Sequence, residues 1–168
     1  MRKLAASSAL VLALFSLSAT PKPQARDSEA EVRQLLGRWE KAFRAKDVDG
    51  VMAVYASGND WVAYDIVPPL QVAGAGNYRK NYAEFFAQYE GPLDFEFRDL
   101  KIVAGGDVAF VHSLERVTGT LKGGQKSDLW IRATSGLQKL DGKWRIVHDH
   151  ISVPADFATG KALLELKP

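Results

Sequence analysis

Apolar side chains recur at helical spacing in the first part of the chain, after residue 27. They are Val32, Leu35, Leu36, Trp39 and Phe43. This spacing predicts an amphipathic first helix with one face against a core. We expect the helix to begin at Ser28, because Ser28 and Glu31 have the spacing of a capping box. Asp47 is the expected N-cap of a short second helix.

Aromatic side chains repeat at the same spacing from Tyr78 to Tyr89, which predicts a third helix. Gly91 and Pro92 are expected to end it. The simplest interpretation of this aromatic stripe is a core face. Buried tyrosine hydroxyls need hydrogen-bond partners, however, so Tyr82 is also a candidate donor in a pocket.

Segments rich in β-forming residues fill the rest of the chain and are separated by turn residues. We predict a short strand at 61–67 and four long strands after the third helix. The long strands are expected at 93–103, 108–121, 126–140 and 143–154. A bulge near Arg98 and Asp99 would reconcile the two alternations of apolar residues within the first long strand.

Helices followed by a strand meander indicate an α+β fold. We expect three N-terminal helices packed on a curved antiparallel or mixed sheet that encloses a pocket. Both faces of the last long strand carry apolar residues, which predicts helices on one face of the sheet and a second subunit on the other. Residues 156–168 form a C-terminal tail without a predicted element.

The N-terminal segment has the layout of a secretory signal peptide. Arg2 and Lys3 precede an apolar run that ends at Leu17, which is shorter than the roughly 20 residues that span a bilayer. We therefore predict a signal peptide at 1–19, a linker at 20–27 and a periplasmic or secreted protein. The alternatives are a retained membrane anchor and an ordinary buried helix.

Charge and composition exclude several functional classes. The formal charge of +2 falls to zero once Arg2 and Lys3 are removed, because no acidic residue precedes Asp27. A neutral domain gives no support for nucleic acid as a partner, nor for a membrane after signal cleavage. The absence of Cys excludes thiol nucleophiles, zinc–thiolate sites and iron–sulfur clusters. We expect neither a cofactor nor a metal.

Three segments, taken in order along the chain, resemble a known superfamily. Residues 47–50 (Asp-Val-Asp-Gly), residues 60–65 and residues 141–154 are similar to the SnoaL-like and ketosteroid isomerase-like branches of the nuclear transport factor 2-like (NTF2-like) superfamily. The resemblance covers about residues 28–155 and implies a cone-shaped domain with one small-molecule pocket. It also implies that two subunits pair through the convex side of the sheet, so we expect a homodimer.

The resemblance places Asp65 where the isomerase branch has its proton-shuttling carboxylate, and Trp39 where that branch has an oxyanion-stabilising tyrosine. A carboxylate in an apolar pocket can move a proton beside a carbonyl group, so Asp65 is the first candidate catalytic residue. The alternative is that the Asp65 carboxylate caps the backbone before Pro68.

Strand alternation groups the histidines. His148 and His150 share a predicted face with Trp144 and Ile146, and His112 lies on an earlier strand, so all three histidines could converge in the pocket. His150 is the second candidate catalytic residue, and His112 and His148 are candidate ligand-binding residues. The alternatives are satisfied core histidines and a metal site, which no metal-ligand spacing supports.

Trp130 and Arg132 share another strand face and are also candidate ligand-binding residues. A half-buried guanidinium needs a partner. Arg132 could bind a ligand carboxylate with two hydrogen bonds, form an internal ion pair or remain exposed. Tyr64, like Tyr82, is a candidate hydroxyl donor in the pocket.

The sequence therefore predicts an exported SnoaL-like protein with a small-molecule pocket. Cofactor-free proton transfer of the isomerase or hydratase type is the expected chemistry if the protein is an enzyme. The alternative is a non-catalytic ligand-binding or oligomerisation module of the same fold, since one fold supports many functions.

Overall fold

The computed structural model of the protein describes residues 23–58 and 61–168. The predicted signal peptide at 1–19 lies outside the described residues, as do residues 20–22 of the predicted linker and Asp60 of the second family-like segment. None of the helices in the described part of the chain is both long and apolar enough to cross a membrane.

Three helices precede the long strands, as predicted. They are α1 (Pro23–Arg44), α2 (Val48–Met52) and α3 (Ala75–Ala87). The prediction that the first helix begins at Ser28 is wrong, because α1 starts at Pro23 and residues 23–27 are helical rather than a linker. Proline is favoured at the first helical position, where its missing N–H costs nothing. The predicted cap of α2 is confirmed: the backbone N–H of Gly50 donates to Asp47 Oδ1 at 3.0 Å.

Eight strands complete the fold. They are β1 (Val62–Tyr64), β2 (Val72–Ala73), β3 (Tyr89–Gly105), β4 (Val108–Leu121), β5 (Lys126–Leu140), β6 (Lys143–Ser152), β7 (Ala155–Asp156) and β8 (Lys161–Ala162). Six of them form one sheet in the order β2-β1-β6-β5-β4-β3, in which β1 runs parallel to β6 and the other neighbours are antiparallel. The last two form a hairpin within the segment that the sequence left without an element.

Bulges bend two of the long strands. The predicted bulge in β3 is confirmed, since the register shifts between Arg98 and Lys101 and Asp99 has a φ of 55°. A second bulge was not predicted. Gly136 pairs with His148 and Leu137 pairs with Ile146, which leaves Val147 without an opposite residue.

The Val147 bulge reverses the alternation of β6. One extra residue in a strand moves every later side chain to the opposite face. Trp144 and Ile146 are buried before the bulge, and Asp149 is buried after it. The prediction that His148 and His150 share the face of Trp144 and Ile146 is therefore wrong.

The helices cover one face of the sheet, here called the inner face. On β4 this face carries Val111, Ser113, Glu115 and Val117, and on β5 it carries Ile131, Ala133, Ser135 and Leu137. The opposite, outer face carries the alternating residues. The predicted apolar stripe of α1 is confirmed as a core face, with Val32 and Leu35 fully buried and the Trp39 ring packed edge-on against Phe95 at 5.0 Å.

Candidate functional site

A cavity of about 380 Å³ lies between the helices and the inner face of the sheet. Its helical wall includes the aromatic residues Trp39, Phe43, Tyr78, Tyr82 and Phe85, together with Asn81, Glu84 and Gln88. Its sheet wall includes Phe95, Glu115, Val117, Leu129 and Ile131. The loop after β1 contributes Asp65, Ile66 and Val67. Exposed lining residues, among them Val67 and Glu84, mark the side at which the cavity opens to solvent.

Glu115 is the buried acid of this cavity. It projects from the inner face of β4, its side chain is 8% exposed, and its Oε1 accepts a hydrogen bond from Ser113 Oγ at 3.1 Å. Burial, together with the charge of Asp149, raises the pKa of Glu115 to about 8. At neutral pH the carboxyl group therefore keeps its proton and can donate a hydrogen bond.

Asp149 anchors a second buried polar group. The Tyr55 hydroxyl donates to Asp149 Oδ2 at 2.8 Å, and the Ser135 hydroxyl donates to Oδ1 at 2.6 Å. The Tyr82 hydroxyl lies 2.9 Å from that of Tyr55. Since Tyr55 has already given its one hydrogen to Asp149, Tyr82 must donate to Tyr55. Tyr82 lines the cavity, so this chain of hydrogen bonds joins the cavity wall to a buried carboxylate.

Burial raises the pKa of Asp149 to about 6, although the hydrogen bonds from Ser135 and Tyr55 oppose this shift. The group is therefore predominantly ionised at neutral pH. Its negative charge is one reason why Glu115 stays protonated.

Asp65 lies on the cavity wall at the end of β1. Its Oδ1 accepts a hydrogen bond from the backbone N–H of Ile66 at 2.7 Å, so it contacts the backbone as well as the cavity. Burial raises the pKa of Asp65, which makes it a better base than a solvent-exposed aspartate. Asp65 thus lies in the cavity and also holds the backbone, while its catalytic role stays a prediction.

Trp39 presents an unsatisfied donor. Its Nε1–H is buried and has no hydrogen-bond partner among the described residues, and the residue lines the cavity. A buried donor without a partner costs about 1–3 kcal/mol. A ligand that offers an oxygen acceptor would satisfy it.

Of the eight predicted site residues, only Asp65 and Tyr82 line the cavity. The other six lie on the outer face. They are Tyr64, His112, Trp130, Arg132, His148 and His150. In the ladder, His112 pairs with Thr134, which pairs with His150, which pairs with Tyr64. The prediction that the histidines line the pocket is wrong, because the Val147 bulge turns His148 and His150 outwards.

The outer-face residues contact one another instead. The Tyr64 ring packs edge-on against the rings of His148 and His150 at 4.9 and 5.7 Å. His148 Nδ1 is 2.8 Å from the carbonyl oxygen of Val62 and donates to it. Arg132 is exposed and belongs to none of the ion pairs formed within the described part of the chain.

Residues 23–58 and 61–168 contain no cluster of side chains that could bind a metal ion. No three His, Asp or Glu side chains there are close enough to hold an ion.

Residues 32–156 match the family model of the SnoaL-like domain. The chain belongs to this family. The SnoaL-like chain is also 36% identical to an NTF2-like protein of unknown function from Pseudomonas putida KT2440, over 86% of this chain and 99% of that one, with a TM-score of 0.76. A comparison with curated proteins gave no significant match.

Two more distant structures share the fold of this SnoaL-like protein. A ketosteroid isomerase-like protein from Erwinia carotovora atroseptica SCRI1043 is 22% identical over 75% of this chain and 95% of that one, with a TM-score of 0.63. A proposed dehydratase of the NTF2-like family from Streptomyces avermitilis is 16% identical over 76% and 97%, with a TM-score of 0.67. The α+β fold and superfamily predicted from the sequence are thereby confirmed.

Glu115 and Asp149 are the functional candidates that sequence reasoning missed. Glu115 has a usable signal, because it occupies the same strand parity as the apolar Val111 and Val117. Burying an acidic side chain at a core position of a strand costs free energy unless the group is paired and hydrogen-bonded, so such a residue is a functional candidate. Asp149 has no such signal, since the bulge that turns it inwards is invisible in the alternation.

Proposed function

We propose that this SnoaL-like protein binds an uncharged carbonyl compound in the cavity and moves a proton on it without a cofactor. Three features of one cavity support this function. Asp65 supplies a carboxylate with a raised pKa, and Glu115 supplies a protonated carboxyl group. Trp39 adds an N–H that has no partner within the described residues. The observation on which the proposal depends most is that Asp65, Glu115 and Trp39 line one cavity.

In this mechanism Asp65 is the general base. It removes a proton from the carbon next to the carbonyl group, and the electron pair of the C–H bond moves onto the carbonyl oxygen. Glu115 and Trp39 donate hydrogen bonds to that oxygen as its negative charge develops. Protonated Asp65 then returns the proton to another carbon, which gives an isomer, or delivers it to a hydroxyl on the β-carbon, which departs as water and gives a dehydration.

Two similar structures carry names in line with this chemistry, an isomerase-like protein and a proposed dehydratase. The tryptophan at position 39 differs from the expected tyrosine in one respect. An indole N–H donates but does not titrate, so of the two donors assigned to the carbonyl oxygen only Glu115 titrates.

The proposal is tested by hydrogen exchange on a simple ketone. 2-Tetralone is incubated with the protein in D₂O, and loss of its α-proton signals is followed by NMR. Wild type should accelerate the exchange, and Asp65→Asn should reduce the enzymatic rate by at least about 100-fold, as general-base removal does. Asp107→Asn, an exposed aspartate in the β3–β4 turn, is the matched control. Equal rates in wild type and Asp65→Asn would refute the base assignment.

Export is part of the same proposal. The leader at 1–19 supports a periplasmic or secreted location. The intact mass of the protein purified from its own host tests this, because cleavage after residue 18 or 19 removes a defined mass. A full-length chain in the cytoplasmic fraction would contradict export.

A non-catalytic oligomerisation module is the second candidate, and the outer face favours it. Val108 and Phe110 are 61% and 48% exposed there, Val103 is exposed opposite Phe110, and Tyr64 is exposed on β1 of the same face. We propose that two copies pair through this face. Sedimentation analysis should give a dimer for wild type and a monomer for Phe110→Glu, with Leu70→Glu, an exposed apolar residue in the loop between β1 and β2, as control. A monomeric wild type at all concentrations would refute the pairing.

A further inference from the structure

The charged residues that line the cavity all have the same sign. They are Asp65, Glu84 and Glu115, and no Lys, Arg or His lines it among the described residues. Asp149 adds a fourth acid behind the wall, joined to Tyr82 through Tyr55. Such a cavity repels carboxylates and phosphates and attracts cations.

The buried acids of the cavity lack a protein counter-charge. The ion pairs formed within residues 23–58 and 61–168 involve neither Asp65, Glu115 nor Asp149. Glu115 Oε1 accepts from Ser113, whereas Oε2 has no hydrogen-bond partner among the described residues. A buried carboxylate stays ionised when several hydrogen-bond donors hold it, as Ser135 and Tyr55 hold Asp149, or when it has a positive partner. Glu115 has one donor, Ser113, so the positive partner of its ionised form would be a ligand.

The aromatic side chains of the cavity suit a cation for a second reason. Phe43, Tyr82 and Phe85 line the cavity together with Trp39. Aromatic ring faces attract an ammonium group, and the attraction grows when water is excluded. Trp39 gives an independent reason to expect an oxygen on the same ligand. This residue is 7% exposed, and its Nε1–H has no hydrogen-bond partner among the described residues, so a ligand oxygen would accept its hydrogen.

We propose that the cavity is a binding site for small ring-bearing amino alcohols, whose ammonium group pairs with Glu115 and whose oxygen accepts the hydrogen of Trp39. Binding of this organic cation does not depend on proton transfer to a carbonyl compound. The two ligands exclude each other, because Glu115 must be protonated for the ketone and ionised for the cation.

Binding of the cation should release a proton. Burial raises the pKa of Glu115 to about 8, so below that pH the carboxyl group must ionise before it can pair. The other titratable groups that line the cavity are Asp65 after β1, Tyr78, Tyr82 and Glu84 on α3, and Tyr89 on β3; Asp149 on β6 lies behind the wall. From α1 only Trp39 and Phe43 line the cavity, and neither side chain titrates.

The test uses three probes that share a phenyl ring and a hydroxyl group. 2-Amino-1-phenylethanol is cationic, 1-phenyl-1,2-ethanediol is uncharged and mandelate is anionic. Isothermal titration calorimetry in two buffers of different ionisation enthalpy gives both the affinity and the number of protons released. The amino alcohol should bind at least about tenfold more tightly than the diol, and mandelate should not bind. Its affinity should rise about tenfold per pH unit between pH 6 and 7, with one proton released.

Glu115→Gln should abolish proton release and weaken binding of the amino alcohol at least about tenfold. Glu96→Gln, an exposed acid on the adjacent strand β3, is the matched control. The proposal is overturned if the diol binds as tightly as the amino alcohol, if the amino alcohol does not bind, or if it binds without proton release. Ketone exchange is measured separately, so loss of exchange with intact amino alcohol binding would refute the proposed catalysis alone.

Discussion

The Tyr55 hydroxyl donates its only hydrogen to Asp149 Oδ2 at 2.8 Å, and both residues are buried. This bond also sets the direction of the next one, because Tyr82 must then donate to Tyr55. The direction of this chain is set by the carboxylate and not by a ligand.

Tyr55→Phe is expected to destabilise the protein by about 1–3 kcal/mol, because the buried Asp149 carboxylate loses a donor. The Tyr55 hydrogen bond lowers the pKa of Asp149, so the loss should be larger at pH 7.5, where Asp149 is ionised, than at pH 5. Urea unfolding at both pH values measures this difference. Tyr64→Phe on the outer face is the control, since the Tyr64 hydroxyl makes no hydrogen bond within the described residues. An equal loss at both pH values would contradict an ionised Asp149.

Raising the pH should destabilise the wild-type protein through Glu115. Its pKa rises from 4.5 in the unfolded chain to about 8 in the folded one, so the unfolded state binds fewer protons across this interval. The stabilisation is complete below the unfolded pKa and is lost as the pH rises towards 8. Asp149, with a folded pKa of about 6, acts in the same sense at lower pH.

Between pH 6.5 and 8 the wild type should lose about 1–2 kcal/mol of unfolding free energy, at about 1.4 kcal/mol per unit where Glu115 alone differs. Glu115→Gln should lose none of it. Denaturant titrations at the two pH values make the comparison, with Glu96→Gln expected to behave as the wild type. If the unfolding free energy of Glu115→Gln fell between the two pH values by as much as that of the wild type, Glu115 would already be ionised in the folded state.

Ketone exchange should fall above a pH of about 8, because Glu115 then ionises and no longer donates to the developing oxyanion. Glu115→Gln keeps an N–H donor that does not titrate. Its exchange rate should be lower at pH 7 but free of the alkaline fall. Rates measured from pH 6 to 9.5 for wild type, Glu115→Gln and Glu96→Gln test this, and an alkaline fall that survives in Glu115→Gln would assign it to another group.

Gly119 leaves room for the Tyr89 ring to pack against the sheet, because it has no Cβ atom. A Cβ atom at this position would lie 2.8 Å from Leu93 Cδ2 and 2.8 Å from Tyr89 Cδ1. Gly119→Ala should therefore cost about 1–3 kcal/mol of stability and displace Tyr89, a cavity residue. Gly105→Ala is the control, because a Cβ atom there meets nothing within 4 Å. Thermal unfolding of both variants measures the difference in stability. Equal stability of Gly119→Ala and Gly105→Ala would show that Tyr89 can move without cost.

The sequence predicted most of the fold, because long periodic segments carry strong signals. The limits of β4 and β5 agree with the predicted 108–121 and 126–140, and the Asp47 cap and the Asp99 bulge are confirmed. The start of α1 was missed, since a good cap at Ser28 concealed that Pro23 can begin the helix.

The candidate site was harder to predict, and the reason is local. Alternation assigns faces only while a strand is regular, and Val147 gives no sign that it is an extra residue. The three residues whose assignment depends on that count are His148, Asp149 and His150. Glu115 could have been predicted, because β4 is regular around it and an acidic residue at a position that alternation assigns to the core is unusual.

The bulge at Val147 has a consequence for natural variation in this protein. Deleting that one residue would restore strict alternation in β6 and leave every side chain on its present face, because Ile146 already pairs with Leu137 and His148 with Gly136. A single-codon deletion would thus remove the bulge while Asp149 stays buried and both histidines stay on the outer face. Related chains that are one residue shorter at this point should therefore be aligned with a gap at Val147, so that buried and exposed positions of β6 correspond.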